Sequence, residues 1–339
     1  MMRSNGSCIA RLFCLVTFLY VATAFSCAKP DSMALEPELD PEPATLDTVA
    51  IFVKPEDDPK LEPVDLDGKV TVTQYAELVY GHQSAAVYGD YAIFVKVGRQ
   101  SMRLFDMARK TKVTTINLKK EDSNQYHSNQ SSFGAEKYEP GDYFPLLYIS
   151  QRSRSEGRCF TEVFRVIPLF NADSTALLTF RVELVQEIFF PPMSQENSLG
   201  NVNCVMDPDG RWMYTYSRNN NAEDRNYLQC KISRFAVPDV HQREVVLEDS
   251  DIESSFMIDA KASNMQGGCI VDGRLYIAQG YPAKQYVYLN VVDLREKRLV
   301  KRYDLLANGV DWEPEGCFYY DGNVMLAHTY AICRIEEEK

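Results

Sequence analysis

Basic residues are the minority charge in this chain, 36 Lys and Arg against 48 Asp and Glu, for a net charge of −12. That deficit excludes nucleic acid as a partner, because phosphate neutralisation needs clustered cations that are absent here. Helical patterning is also scarce: from Val70 onward almost no segment keeps a 3.6-residue apolar period beyond about ten residues. There is no glycine-rich phosphate loop, no His-Glu-x-x-His and no Gly-x-Ser-x-Gly elbow, so no cofactor is expected. Closely spaced cysteines are missing as well. Of nine cysteines, Cys8, Cys14 and Cys27 lie near the N-terminus. The other six (Cys159, Cys204, Cys230, Cys269, Cys317, Cys333) show neither a disulfide framework nor a metal knuckle. An even count in an exported chain permits disulfides, but Cys204, Cys269 and Cys317 sit in apolar runs, where a thiol serves as a small hydrophobe. Mostly free, buried thiols are expected.

What is present starts with an address. Arg3 and Arg11 precede an apolar run, Leu12 to Phe25, too short to span a bilayer comfortably and ending in small residues, as secretory signals do. Ala24-Phe25-Ser26-Cys27 resembles a bacterial lipobox, which implies a signal peptide over residues 1–26, lipidation of Cys27 and a membrane link through that lipid alone. Residues 27–67 follow as an acidic, Pro-rich tether (Glu36-Pro37-Glu38-Leu39-Asp40-Pro41-Glu42-Pro43). Proline and like-charge repulsion hold such a spacer extended at roughly 3 Å per residue. The expected location is the outer membrane or cell surface.

Residues 68–339 form the body, and they carry an internal repeat. Gly267-Gly268-Cys269-Ile270-Val271-Asp272-Gly273-Arg274-Leu275-Tyr276 aligns with Glu315-Gly316-Cys317-Phe318-Tyr319-Tyr320-Asp321-Gly322-Asn323-Val324. Both read as strand, Asp-Gly turn, strand, because an Asp-Gly pair supplies the positive φ of a type I′ hairpin. Further copies begin at Ala85 and Val202. Third strands follow at Ser101–Asp106, Leu228–Ile232 and Tyr286–Leu294, and fourth strands at Lys112–Leu118, Glu244–Glu248 and Leu299–Leu305. A divergent copy spans Phe133–Phe190. Four antiparallel strands at a period of about fifty residues mark propeller blades. The last copy lacks its outer strand, and Val70–Tyr75 can supply it and close the ring. The reading is an all-β propeller of five blades closed by an N-terminal strand, with six as the alternative because Lys119 to Asn201 is long enough to hide one.

In such a ring the residues just before each innermost strand converge on one mouth of the channel. They are His82 and Gln83, then His127 and Asn129, Asn201 and Asn203, Gln266, and Trp312, Glu313 and Glu315. Amide, imidazole and carboxylate groups beside an aromatic ring suit a polyhydroxylated ligand, which needs directional hydrogen bonds and a flat face. Two histidines and two glutamates near one axis could hold a cation, but their spacing matches no short metal motif and no metal is expected.

Met265-Gln266-Gly267-Gly268 with Asp272-Gly273-Arg274-Leu275-Tyr276, and Glu313-Pro314-Glu315-Gly316 with Tyr320-Asp321-Gly322, resemble the propeller family of teichoic-acid biosynthesis protein C and phage receptor-binding proteins. That resemblance covers Asn264 to Ile335 and implies a five-bladed ring that contacts envelope polymers. More broadly the chain resembles β-propeller lipoproteins of Gram-negative gut bacteria. The expected function is non-catalytic binding of an envelope or dietary glycan at the channel mouth, with no catalytic residues. A glycoside hydrolase or lyase is the enzyme alternative, yet Glu313 and Glu315 lie two apart on one strand, roughly 6.7 Å, and alone cannot flank a sugar. A scaffold in a surface protein complex is the third class. It would use the blade flanks and the loops at Arg152–Arg158 and Asn219–Arg225.

Overall fold

The computed structural model describes residues 69–78, 81–97, 101–118, 127–152, 158–173, 176–191, 202–220, 228–259, 265–281 and 286–337. Residues 1–26 and 27–67, read from the sequence as signal peptide and tether, with Cys27 at their junction, and Asn201 lie outside them.

The described chain is all-β, in five separate sheets. Blade 1 is β2 (Ser84–Tyr88), β3 (Tyr91–Val95), β4 (Ser101–Asp106) and β5 (Thr111–Asn117) in simple antiparallel order. Blade 2 is β6 (Ser131–Phe133), β7 (Leu147–Gln151), β8 (Phe160–Phe170) and β9 (Leu177–Phe189). The long β8 and β9 use up the stretch that a sixth blade would have needed. Blade 3 is β10 (Asn203–Met206), β11 (Trp212–Asn220), β12 (Leu228–Ala236) and β14 (Ser254–Asp259). Blade 4 is β15 (Met265–Val271), β16 (Arg274–Tyr281), β17 (Tyr286–Asp293) and β18 (Arg298–Asp304). Blade 5 is β19 (Gly316–Tyr320), β20 (Asn323–His328) and β21 (Ala331–Glu337), completed from the other end of the body by β1 (Val70–Glu77).

The closing strand pairs antiparallel with β21, Val70 opposite Glu337 and Thr73 opposite Arg334. The ring therefore shuts with hydrogen bonds between its first and last strands, which removes two open edges at once. The two Asp-Gly hairpins take the expected geometry, with φ of 49° and 74° at Asp272 and Gly273 and 49° and 75° at Asp321 and Gly322. Positive φ at both central positions is what a type I′ turn demands.

One strand assignment needs correcting. Glu244–Val246 (β13) is not the outer strand of blade 3; it pairs in parallel with β9 of blade 2, Glu244 opposite Glu187 and Val246 opposite Phe189. The true outer strand is β14, with Gln229 opposite Asp259. The reason is burial. Val240 and Leu247 sink into the apolar cluster that Ile188 and Phe190 form with blade 3, and Val245 packs against it. The free edge of β9 offers the carbonyl of Phe189 to the Leu247 amide at 2.9 Å.

The core is five clusters, each joining one blade to the next. Ile93 and Leu104 pack on Ile149 and Phe164 between blades 1 and 2, and Tyr148 and Ile188 on Cys204 and Phe235 between blades 2 and 3. Tyr216 and Ile232 meet Ile277 and Val292, and Leu289 and Val291 meet Leu326 and Ile335. Phe318 and Met325 close the circle on Ala85 and Phe94. Around the axis the inner strands lie very close. A Cβ on Gly267 would stand 2.4 Å from the Cys317 amide nitrogen and 2.8 Å from the Gly316 Cα. Only glycine fits there, since real Cβ atoms do not approach so near.

Candidate functional site: the two mouths of the channel

The mouth where the inner strands begin, called the near mouth below, gathers residues from all five blades. From blade 2, Asn129 reaches across the axis, its Nδ2 donating to the Met265 carbonyl at 2.7 Å and to Asn203 Oδ1 at 3.3 Å. Asn203 in turn donates to the Gln266 carbonyl at 3.2 Å. Beneath them Gln130 makes a two-way amide pair with blade 4, accepting from the Gly268 N–H at 2.7 Å and donating to the Gly268 carbonyl at 2.9 Å. The Tyr216 hydroxyl, wholly buried, donates to the Gln266 carbonyl at 2.7 Å. A Cβ on Gly268 would come within 2.9 Å of that hydroxyl oxygen. These bonds seal the channel with its own amides and leave the near mouth with a polar floor.

The loop that presents Asn129 is held in place before any ligand arrives. Ser128 has φ of 57°, an uncommon conformation for a residue with a side chain. Its N–H donates to Gln151 Oε1 at 3.1 Å, while Gln151 Nε2 donates to the buried Glu162 at 2.8 Å.

Above the floor sit the carboxylates. Gln266 Nε2 donates to Glu313 Oε1 at 2.6 Å. The Glu315 backbone is pinned by its N–H donating to the Ala327 carbonyl at 2.9 Å. Burial pushes the Glu315 carboxyl up to about 8, neighbouring Glu313 adds to the rise, and a hydrogen bond from Gln83 opposes it. Glu313 is also raised, first by burial. Two buried oxygens here, Glu315 Oε2 and Gln266 Oε1, have no hydrogen-bond partner. A buried acceptor left unmatched costs about 1–3 kcal/mol, so a hydroxyl from water or a ligand would stabilise both groups.

Of the residues read from the sequence, the structure therefore joins Asn129, Asn203, Gln266 and Glu313 through hydrogen bonds, with Gln83 and Glu315 beside them. Three others have different neighbours. His82 is buried with its ring edge-on to Phe94 at 4.9 Å, as part of the blade 1 interior. His127 is half-buried and lowered to about 4 by burial and then by Arg152, which keeps it neutral at ordinary pH. Trp312 stacks on His328 at 4.2 Å and 16°, so one face of the indole is already covered. Gln130 also precedes an inner strand, as the sequence reading had it; the residues missed are Tyr216 and the Gln151–Glu162 pair. Glu162 did leave a signal, a lone carboxylate in the apolar strand Phe160–Ile167. Among the described residues no group of three or more His, Cys, Asp or Glu forms a metal site.

The opposite end of the channel, the far mouth, differs. There a cavity of about 350 Å³ is lined by Tyr88, Phe133, Met206, Cys269, Cys317 and Tyr319 among others. It lies at the ends of the inner strands, not at their beginnings where the sequence placed the site.

Fold and mouths together define a five-bladed propeller with one polar, self-bonded mouth and one apolar, thiol-lined mouth. No protein-family description and no curated protein matches the chain. Solved propeller structures do. Myxococcus xanthus glutaminyl cyclase aligns over 82% of this chain and 100% of its own at 11% identity and a TM-score of 0.42. A luciferin-regenerating enzyme aligns over 79% and 95% at 8% identity and a TM-score of 0.41. A glucose dehydrogenase aligns over 79% and 99% at 13% identity and a TM-score of 0.40. Likeness at this level concerns the ring of blades and does not extend to activity.

Proposed function

We propose that the protein is a binding module, carried at the cell surface on a lipid at Cys27, whose near mouth takes a neutral, polyhydroxylated ligand such as an envelope or dietary glycan. The observation that carries this reading is the pair of unmatched buried oxygens, Glu315 Oε2 and Gln266 Oε1, in a cluster whose other polar atoms largely satisfy one another. Ligand hydroxyls, which both donate and accept, can meet both atoms, and a site built to hydrogen-bond hydroxyls rejects analogues that lack them. Burial pushes the Glu315 carboxyl up to about 8, and in its protonated form it offers a sugar hydroxyl both a donor and an acceptor.

The same raised carboxyl favours one second reading. A protonated acid beside Glu313 is the form that general-acid catalysis of glycoside cleavage uses. Glycan-array binding and product analysis of the full chain separate the two, with Glu315→Gln alongside. Retained binding in Glu315→Gln without any wild-type turnover supports the module. Turnover by wild type that vanishes in Glu315→Gln makes it an enzyme. No glycan bound by either protein overturns both.

A further inference from the structure

Cys269 and Cys317 occupy matching places in two successive copies of the repeat, Gly267-Gly268-Cys269 and Glu315-Gly316-Cys317. The close approach of β15 and β19 at their glycines brings the two Sγ atoms to 3.7 Å. Both residues line the far-mouth cavity, Cys269 partly exposed and Cys317 buried. A disulfide needs a sulfur separation of about 2.05 Å, so the pair lies less than about 2 Å from bonding distance, a gap of the size that side-chain rotation covers.

We propose that Cys269 and Cys317 are a redox couple that closes to an inter-blade disulfide by exchange with a small organic disulfide admitted through the far cavity. In the first step the Cys269 thiol gives its proton to solvent and the thiolate attacks one sulfur of the external disulfide. The external S–S bond breaks, a protein mixed disulfide forms, and one small thiol leaves with a proton taken from solvent. In the second step Cys317 loses its proton and attacks Cys269 Sγ, and the second small thiol leaves and takes up a proton. Two cysteine thiols are oxidised and one external disulfide is reduced to two thiols. The order follows from access: Cys269 is the exposed partner, and the hydrogen bond with Cys269, together with burial, holds the Cys317 thiol well above its ordinary range. Thiolate character and access set exchange rates. Cys204 and Cys230, each pushed up to about 12 by burial, are not among the residues lining the cavity. The bond would tie blade 4 to blade 5 at the axis.

The test uses the full chain, reduced and then exposed to oxidised glutathione, with thiols alkylated under denaturing conditions and peptides mapped without reduction. The expected result is a cross-linked peptide pair joining Cys269 to Cys317, two hydrogen atoms lighter than the reduced pair and reversed by dithiothreitol. Cys317→Ser should stop at glutathione on Cys269, and Cys269→Ser should lose reaction at both positions. Recovery of both cysteines as alkylated thiols in the wild type, or a glutathione adduct on wild-type Cys269 that never resolves, overturns the proposal. The wild-type map does not depend on whether either variant folds.

Discussion

The two mouths are built from the same five inner strands, yet one is closed by its own hydrogen bonds and the other stays open. At the near mouth each blade contributes short amides and carboxylates. With the strands drawn together at Gly267 and Gly316, Asn129 and Gln130 reach from blade 2 to blade 4 and saturate backbone groups there. At the far mouth the lining is mainly rings, aliphatic side chains and sulfur, with Ser131 and Ser132 among them, and a cavity remains. Polarity near the axis thus fills a channel from within, and two of the buried oxygens left unmatched, Glu315 Oε2 and Gln266 Oε1, lie in the candidate site.

Breaking the shared frame should have the largest effect. Gly267→Val drives a side chain into the Cys317 amide, 2.4 Å from where its Cβ would sit. Overpacking against backbone should cost about 3 kcal/mol or more, read by urea denaturation of the full chain. Removing only the seal is the next step. Gln130→Leu leaves the Gly268 N–H and carbonyl buried without their partner and should cost about 2 kcal/mol in the same measurement.

A subtler probe is pH. Glu315 is raised from its ordinary 4.5 to about 8 in the folded chain, so the folded state holds this proton more tightly than the unfolded state does. Its contribution is complete below about 4.5 and is lost as pH rises towards about 8. Stability relative to Glu315→Gln, which cannot ionise, should therefore fall as pH rises across that window. A flat difference would mean that Glu315 ionises normally. Smallest of all, Tyr319→Ser at the exposed rim of the far mouth should change stability by no more than about 0.5 kcal/mol.

Much of the ring was legible because its signals are local. Asp272-Gly273 and Asp321-Gly322 fix their hairpins by backbone geometry, and a last copy short of one strand points to the alternating stretch from Val70. The outer strand of blade 3 was not legible. Alternation in Glu244–Glu248 identifies a strand but not the sheet edge it joins, and that was settled by Val240 and Leu247 finding an apolar cluster in the neighbouring interface. The residues of the proposed site could be named from the sequence, but not the direction each side chain takes. Counting residues before each inner strand located Asn129, Asn203, Gln266, Glu313 and Glu315. It could not foresee that His82 turns to Phe94, that Trp312 stacks on His328, or that Gln130 crosses the axis. Cys269 and Cys317 stood aligned in the repeat, but their proximity depends on how near two glycine-bearing strands come, a tertiary distance that no spacing encodes.

The most direct test of the central claim is calorimetric titration of the full chain and Gln266→Ala with a panel of neutral oligosaccharides at pH 7. Losing the Gln266 side chain removes one of the two unmatched acceptors and the partner of Glu313, so at least one oligosaccharide should bind the wild type and bind Gln266→Ala about tenfold more weakly, about 1.4 kcal/mol. Equal affinity in both proteins would place any ligand away from the near mouth, and no binding at all would contradict the account.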